Sequence, residues 1–410
     1  MNTPFLTPQQ KAALESVPPT LMRLHRRSRV VLLYDAGWST TEVAAEAGLS
    51  PRRARFWRRR FVLQGMDIFP GITLDLPVPT STVAPSSIPF PEPLPVPGIL
   101  PDDTLAEAGR KTWLFHFAEM LHHESGTRQG DDIEALHDMR VATRRMRAAF
   151  DIFAQAFEPQ AIRPYLKGLR ATGRALGQVR DLDVFMEKAA RYQTGLPLEQ
   201  QPGLSPLIAG WEQERSAARL AMLAHLDSKK YQRFKERFNS FLHSPVEGEL
   251  PENIENPTPS RVRDVVPMLI YTRLAAVRAY EAILATATIP QLHALRIEFK
   301  KFRYTVEYFK EVLGKPTKDV IDVIKSLQDH LGELHDADVA CGIIRQFLDQ
   351  WETQQANLPL TQRQSSEAVV SYLANQHAER YRRMVTFPAA WERFKQPEFQ
   401  QNLAMAIAGL

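Results

Sequence analysis

An all-α fold is what this chain of 410 residues predicts, and three observations carry it. Beyond about residue 102 apolar residues recur at helical spacing, strand-like alternation is scarce, and a pair of motifs with helical periodicity occurs twice in the same order. A hydrophobic content of 44% is ordinary for a chain able to bury a sizeable core. Helix breaks are expected at Gly126 to Gly130, Pro159, Gly195 to Pro206, Pro245 to Pro259, Gly314 to Pro316 and Pro388.

The first element is a basic module spanning residues 1–69. Between Leu21 and Gln64 ten Lys and Arg face three acids, a surplus of seven, so with +4 overall the rest of the chain is about −3. Any anion site there must be a focused cluster on an otherwise mixed surface. Leu32, Leu33 and Tyr34 close a first helix at Gly37, and Ser39 with Glu42 forms a capping box that opens a short second helix through Ala47. After Gly48-Leu49, Ser50 as N-cap and Pro51 at the first helical position start a third helix. Ala54, Trp57 and Phe61 share its packed face, which leaves Arg52, Arg53, Arg55 and Arg59 outside as candidate DNA contacts. The module resembles the helix-turn-helix domains of transposases and transcriptional regulators, in which the third helix enters the major groove. Binding of DNA, contact with a protein partner or a second copy, and general attraction of polyanions all remain open for it.

Residues 70–101 carry ten of the thirty prolines and almost no charge. They are read as a linker, extended as polyproline II, that holds the module apart from a helical region at 102–410.

In that region His137, Arg140, Arg144, Arg145 and Arg147 recur 156 residues later as His293, Arg296, Lys300, Lys301 and Arg303. A second pair, Leu176-Gly177-Gln-Val-Arg180-Asp181-Leu-Asp183 and Leu331-Gly332-Glu-Leu-His335-Asp336-Ala-Asp338, is offset by 155. Two matched motifs at nearly one offset imply a duplicated unit, with copies at about 105–243 and 262–400. On a helix His137, Arg140, Arg144 and Arg147 fall within an arc of about 80°, as do their counterparts, with Arg145 and Lys301 at the flank. Four cations on one stripe repel each other unless water solvates them or an anion bridges them. A solvated face usually alternates sign, whereas each stripe has a single nearby acid, Asp138 or Glu298. The duplication also preserves cations as well as apolar positions, which favours an anion site. The second motif is read as a turn at a helix junction, where Asp181, Asp183, Asp336 and Asp338 cap a helix or orient a cation; a metal site is the weaker reading.

These motifs, together covering about 300 residues, resemble those of the CHAD domain family, whose name refers to its histidine-bearing α-helices. The resemblance implies two four-helix bundles related by a pseudo-twofold axis, with basic helices facing a shared cavity that binds inorganic polyphosphate without catalysis. It passes binding roles to His137, Arg140, Arg144, Arg145, Arg147, His293, Arg296, Lys300, Lys301 and Arg303, and a packing role to Tyr304. Arg180, Arg219 and Arg383 are secondary candidates. It also implies gathering at polyphosphate granules.

The remaining features narrow the classes. Cys341 is the single cysteine, so there is no disulfide framework, and it reads as a core residue in a reducing compartment. The adjacent His122 and His123 read as structural or solvent-facing. No signal-like N-terminus or long apolar run is present, and the richest stretch, 265–289, contains Arg273, Arg278 and Glu281, so a buried bundle helix and a cytoplasmic location are expected. Neither a phosphate-cradling Gly-rich loop nor a nucleophile elbow nor a His-rich metal motif appears, and neither an enzyme nor a cofactor is expected. The alternative reading is a DNA-binding regulator whose helical region senses polyphosphate.

Overall fold

A computed structural model of the chain describes residues 6, 8–18, 22–64, 69, 88–250 and 259–410, and these form two units dividing at Ser86. The basic unit contains α1 (Pro8–Glu15), α2 (Met22–Asp35), α3 (Thr40–Glu46) and α4 (Pro51–Gln64). Ser39 and Glu42 make the expected reciprocal capping box, and the Ser50 side chain accepts the backbone N–H of Arg53 at the start of α4. Val30, Val31, Val43, Ala54, Trp57 and Phe61 form its small core, the helix-turn-helix arrangement that the spacing predicts.

Residues 70–87 of the proline-rich stretch lie outside the described residues. From Ile88 onward the chain lies along the second unit. Asn239 donates to the carbonyls of Ile88 and Pro89 at 2.8 and 3.2 Å, and the Phe90 ring meets Phe117 edge-on at 6.2 Å. Glu311 accepts the N–H groups of Gly98 and Ile99 at 3.4 and 3.0 Å. An extended chain satisfies none of its own carbonyls, so the adjoining helices can anchor it through these groups.

The second unit runs through α5 (Leu105–His122), α6 (Glu124–Gln129), α7 (Ile133–Phe153), α8 (Pro159–Thr194), α9 (Ser205–Asp227) and α10 (Lys229–His243). It continues through α11 (Val262–Arg278), α12 (Ile289–Tyr308), α13 (Thr317–Ala356), α14 (Glu367–Lys395) and α15 (Pro397–Ile407). Each copy is a four-helix bundle, α5, α7, α8 and α9 answering to α11, α12, α13 and α14, and each is closed by a further helix, α10 or α15. Trp113 sits at the centre of the first core against Phe150, Phe153 and Phe157, and Phe299, Trp391 and Phe394 occupy the second. The copies meet where α7 lies on α12, and again at the tips of the long hairpins, where Leu207 and Trp211 pack with Ile344 and Tyr372. No helix among the described residues is long and apolar enough to cross a membrane. The 265–289 stretch becomes α11 and a short 3₁₀ segment, and Cys341 is buried in α13.

Two expectations are corrected. Pro388 does not break a helix but lies inside α14. An interior proline costs roughly 3 kcal/mol, yet burying Phe387, Trp391 and Phe394 at about 1.5–3 kcal/mol each keeps the helix continuous. The second duplicated motif is not a turn; residues 176–184 and 331–339 lie within α8 and α13. Their glycines lie beside the basic helices. A side chain starting at Gly177 would lie 3.7 Å from Nε of Arg140, and at Gly332 the same 3.7 Å from Nε of Arg296. Each long helix thus passes the basic helix of its own copy at ordinary contact distance.

Candidate anion-binding site

The apolar sides of the two basic helices decide where their charges go. On α7, Leu136, Met139, Ala142 and Met146 are buried, and on α12, Leu292, Leu295, Phe299 and Phe302. The Tyr308 hydroxyl donates to the Arg145 carbonyl at 2.6 Å, and the Phe153 ring lies 6.1 Å from Tyr308 and 5.6 Å from Phe309, which locks α7 against α12. Their polar sides then border one cleft of about 310 Å³, walled also by α8 and α11.

Seven cations line it: Arg140, Arg144, Arg147, Arg170, Arg273, Lys300 and Lys301, against Asp151 as the one carboxylate among the described lining residues. The cleft thus gathers five of the residues singled out by the sequence. Tyr304 lies in its wall, 1% exposed, with the packing role expected of it. Partial compensation comes from Glu298, 2.6 Å from Lys301, and from Asp181, 2.8 Å from Arg140. The other lining cations have no ion pair among the described residues. The buried Nε atoms of Arg144 and Arg296 and Nη1 of Arg180 have no hydrogen-bond partner among the described residues, a costly condition for a cationic donor that an anion would relieve.

The electrostatics follow. Burial, then the charges of Arg144, Arg296, Arg147 and Arg140, push the Lys300 ammonium down to about 8 from an ordinary 10.5. Burial is also the first cause, before neighbouring cations, of the lowered values of Arg140, Arg147 and Arg296. Arginine nevertheless stays charged, so Lys300 is the member able to titrate near neutral pH.

The histidines occupy the other end of the stripes. His137 is held below its ordinary value by burial and then Arg180, and His335 by burial and then Arg296 and His293. The His293 and His335 rings meet edge-on at 4.6 Å, and Asp338 lies 3.7 Å from His293 and 2.8 Å from Arg380. Asp183 pairs with Arg215 in the equivalent place, and Asp336 with Lys188 at 2.9 Å. All four motif acids therefore hold cations, as their orienting role requires. His123 lies within 3.9 Å of Glu119 and Asp138.

Other candidates lie elsewhere. Arg303, 9% exposed, and Arg145 both face Glu307 at 3.4 Å in the α7–α12 contact, outside the cleft wall. Arg219 reaches the carbonyls of Thr127, Arg128 and Gln129 and so caps α6, seated over Gly130, where φ is 76° and no side chain intrudes. Arg383 pairs with Glu333 and Glu379. Arg170 and Arg273 were not among the candidates. Arg170 had a signal, since Arg163, Lys167, Arg170 and Arg174 step by four, three and four along α8; Arg273 stands without such a pattern. In the basic unit Arg53 and Arg55 are exposed on α4, while the side chains of Arg52 and Arg59 lie outside those described.

Seven cations on four helices can each donate to anionic groups, and each arginine can fork two donors onto one phosphate-like group. Comparison with known proteins agrees with the architecture. A family model for the CHAD domain matches residues 112–345, more than half of the chain, and one for a helix-turn-helix domain matches residues 26–67. A crystal structure of the CHAD domain from the plant Ricinus communis superimposes with a TM-score of 0.57 at 22% identity, covering 73% of this chain and 96% of that one. PptA from Streptomyces chartreusis gives 0.48 at 16% identity, over 72% of this chain and 100% of its own. No curated protein matches the chain.

Proposed function

Since this chain belongs to the CHAD domain family and carries a helix-turn-helix domain ahead of that domain, we propose that it is a non-catalytic binder of inorganic polyphosphate. The supporting observation is the concentration of seven cations from α7, α8, α11 and α12 around one cleft in a region whose net charge is slightly negative. A fold gathers like charges at electrostatic cost, and a bound polyanion reverses the sign of that cost. Arg140, Arg144, Arg147, Arg170 and Lys300 carry the grip, Arg296 and Arg180 continue it toward the histidines, and Arg273 and Lys301 close the opening. Arg145 and Arg303 contribute indirectly by fixing α7 on α12 through Glu307. In a cell the same affinity draws the protein to polyphosphate granules.

The test is calorimetric titration of the full chain with long-chain polyphosphate and with an equal charge of single-stranded DNA at about 0.15 M salt. We expect polyphosphate to bind at least fivefold more tightly, because the cleft offers guanidinium forks and no broad aromatic platform for bases. Equal affinities would reduce the site to unspecific electrostatics.

The exposed Arg53 and Arg55 on α4 support a second reading, a DNA-binding regulator whose CHAD domain senses polyphosphate. Footprinting on genomic fragments with and without polyphosphate tests it. A protected sequence that polyphosphate alters is expected, and uniform cleavage removes the reading.

A further inference from the structure

The opposite side of α8 borders a second cavity, half open and of about 570 Å³, formed with the end of α9 and the start of α10. Leu166, Arg170 and Gly173 face the first cleft, whereas Lys167, Gly168 and Ala171 face this one. Two residues along a helix turn the side chain by about 200°, so the two sites are back to back across α8.

The cavity has two chemically distinct parts. Its floor is Tyr165, Tyr231 and Phe234, and Phe234 lies directly on Gly168, where a side chain on α8 would leave the ring no room. Its rim is Lys167, Lys229, Lys230, Arg233 and Arg237, all exposed, with no ion pair to any described residue. The lining contains no carboxylate among the described residues. At one end α10 begins, 15 residues long with Ser228 as N-cap, so its first N–H groups and positive pole lie beside Lys229 and Lys230. In the wall, Thr172 Oγ1 and His225 Nε2 lie 3.1 Å apart and partner each other.

This division selects a class of ligand. The rim alone would attract bare polyphosphate but leaves the aromatic floor unused, and five cations without an ion pair among the described residues offer nothing to a neutral or cationic molecule. What fits is a flat body with a polyanionic tail. The volume lies within the roughly 300–1,000 Å³ range of small-molecule sites, with the usual pattern of an apolar bed and a few polar groups. We propose that this cavity is a nucleoside triphosphate site, the base lying on Tyr165 and Phe234 and the phosphates held by Lys229, Lys230 and Arg233 at the α10 N-terminus. Because the site shares no lining residue with the cleft between α7 and α12, it stands independently of polyphosphate binding.

Calorimetric titration of the full chain with ATP, tripolyphosphate and adenosine, repeated after saturation with long-chain polyphosphate, tests the proposal. One ATP per chain is expected, retained in the presence of polyphosphate, with tripolyphosphate and adenosine each at least fivefold weaker. The double variant Lys230→Glu, Arg233→Glu should weaken ATP at least fivefold, and Arg144→Ala should leave it unchanged. The proposal is overturned if ATP fails to bind at millimolar concentration, if tripolyphosphate binds as tightly as ATP, or if polyphosphate or Arg144→Ala abolishes ATP binding.

Discussion

Replacing Arg144 and Lys300 together by alanine is expected to lower polyphosphate affinity by on the order of 100-fold or more, with helix content preserved. Both residues line the cleft, one from each basic helix, and Arg144 is among the cations that depress Lys300, so they act on a common region. A hydrogen bond to a charged group contributes roughly 1.5–3 kcal/mol, and losing two gives roughly 3–6 kcal/mol, or 100-fold upward. The fold should survive because neither side chain is part of the core and Arg144 Nε has no partner to lose among the described residues. Titration calorimetry paired with circular dichroism reads both halves. Affinity within threefold of the unaltered protein would place the polyphosphate elsewhere. A variant pair at Arg219 and Arg383 supplies the control, since those guanidinium groups serve helix carbonyls and glutamates outside the cleft.

Raising the pH from 7 to 9 should weaken polyphosphate binding about tenfold, through Lys300. In the free protein its ammonium titrates at about 8, whereas a bound polyanion returns it toward the ordinary 10.5. Below pH 8 the cation is present in both states and the full attraction is available. Between 8 and 10.5 the free protein has released this proton and must take it up again to bind, which lowers affinity by the tenfold expected at pH 9. Stability of the free fold moves the other way. The unfolded chain keeps the proton up to about 10.5 while the folded chain releases it from about 8, so this group's destabilising effect is full below pH 8 and fades as pH rises between the two values. Lys300→Met should accordingly flatten the pH dependence of binding, lower affinity at pH 7, and raise the melting temperature of the free protein. Opposite signs for affinity and stability distinguish a functional cation from one retained for the fold. A lower melting temperature in Lys300→Met would show that the lysine stabilises the structure and would count against the anion site.

Much of this molecule was legible in one dimension because helices are local. Ser39 with Glu42, and Pro51 after Ser50, announce their helix starts through contacts a few residues apart. The duplicated stripes were visible for the same reason, since the three- and four-residue steps from His137 to Arg147 and from His293 to Arg303 are a property of one helix. The LG-x-x-R-D motif misled because glycine and aspartate favour turns as isolated residues. Inside α8 and α13 the aspartates answer a tertiary demand, counterions for cations on neighbouring helices. The Pro388 break failed likewise, because the aromatic residues around it are buried by partners distant in sequence.

By itself, then, the sequence determined the helical class, the duplication, the helix-turn-helix and which helix faces are basic. Tertiary structure alone decided which of those charges share a site. Arg147 and Arg303 occupy equivalent places in the repeat, yet Arg147 opens on the cleft while Arg303 is buried beside Glu307. Arg170 and Arg273 join from helices that carry neither of the duplicated basic stripes. The physical reason is that periodicity sets the direction of a side chain only around its own helix axis, whereas the distance between two charges on different helices is set by how the apolar faces beneath them pack.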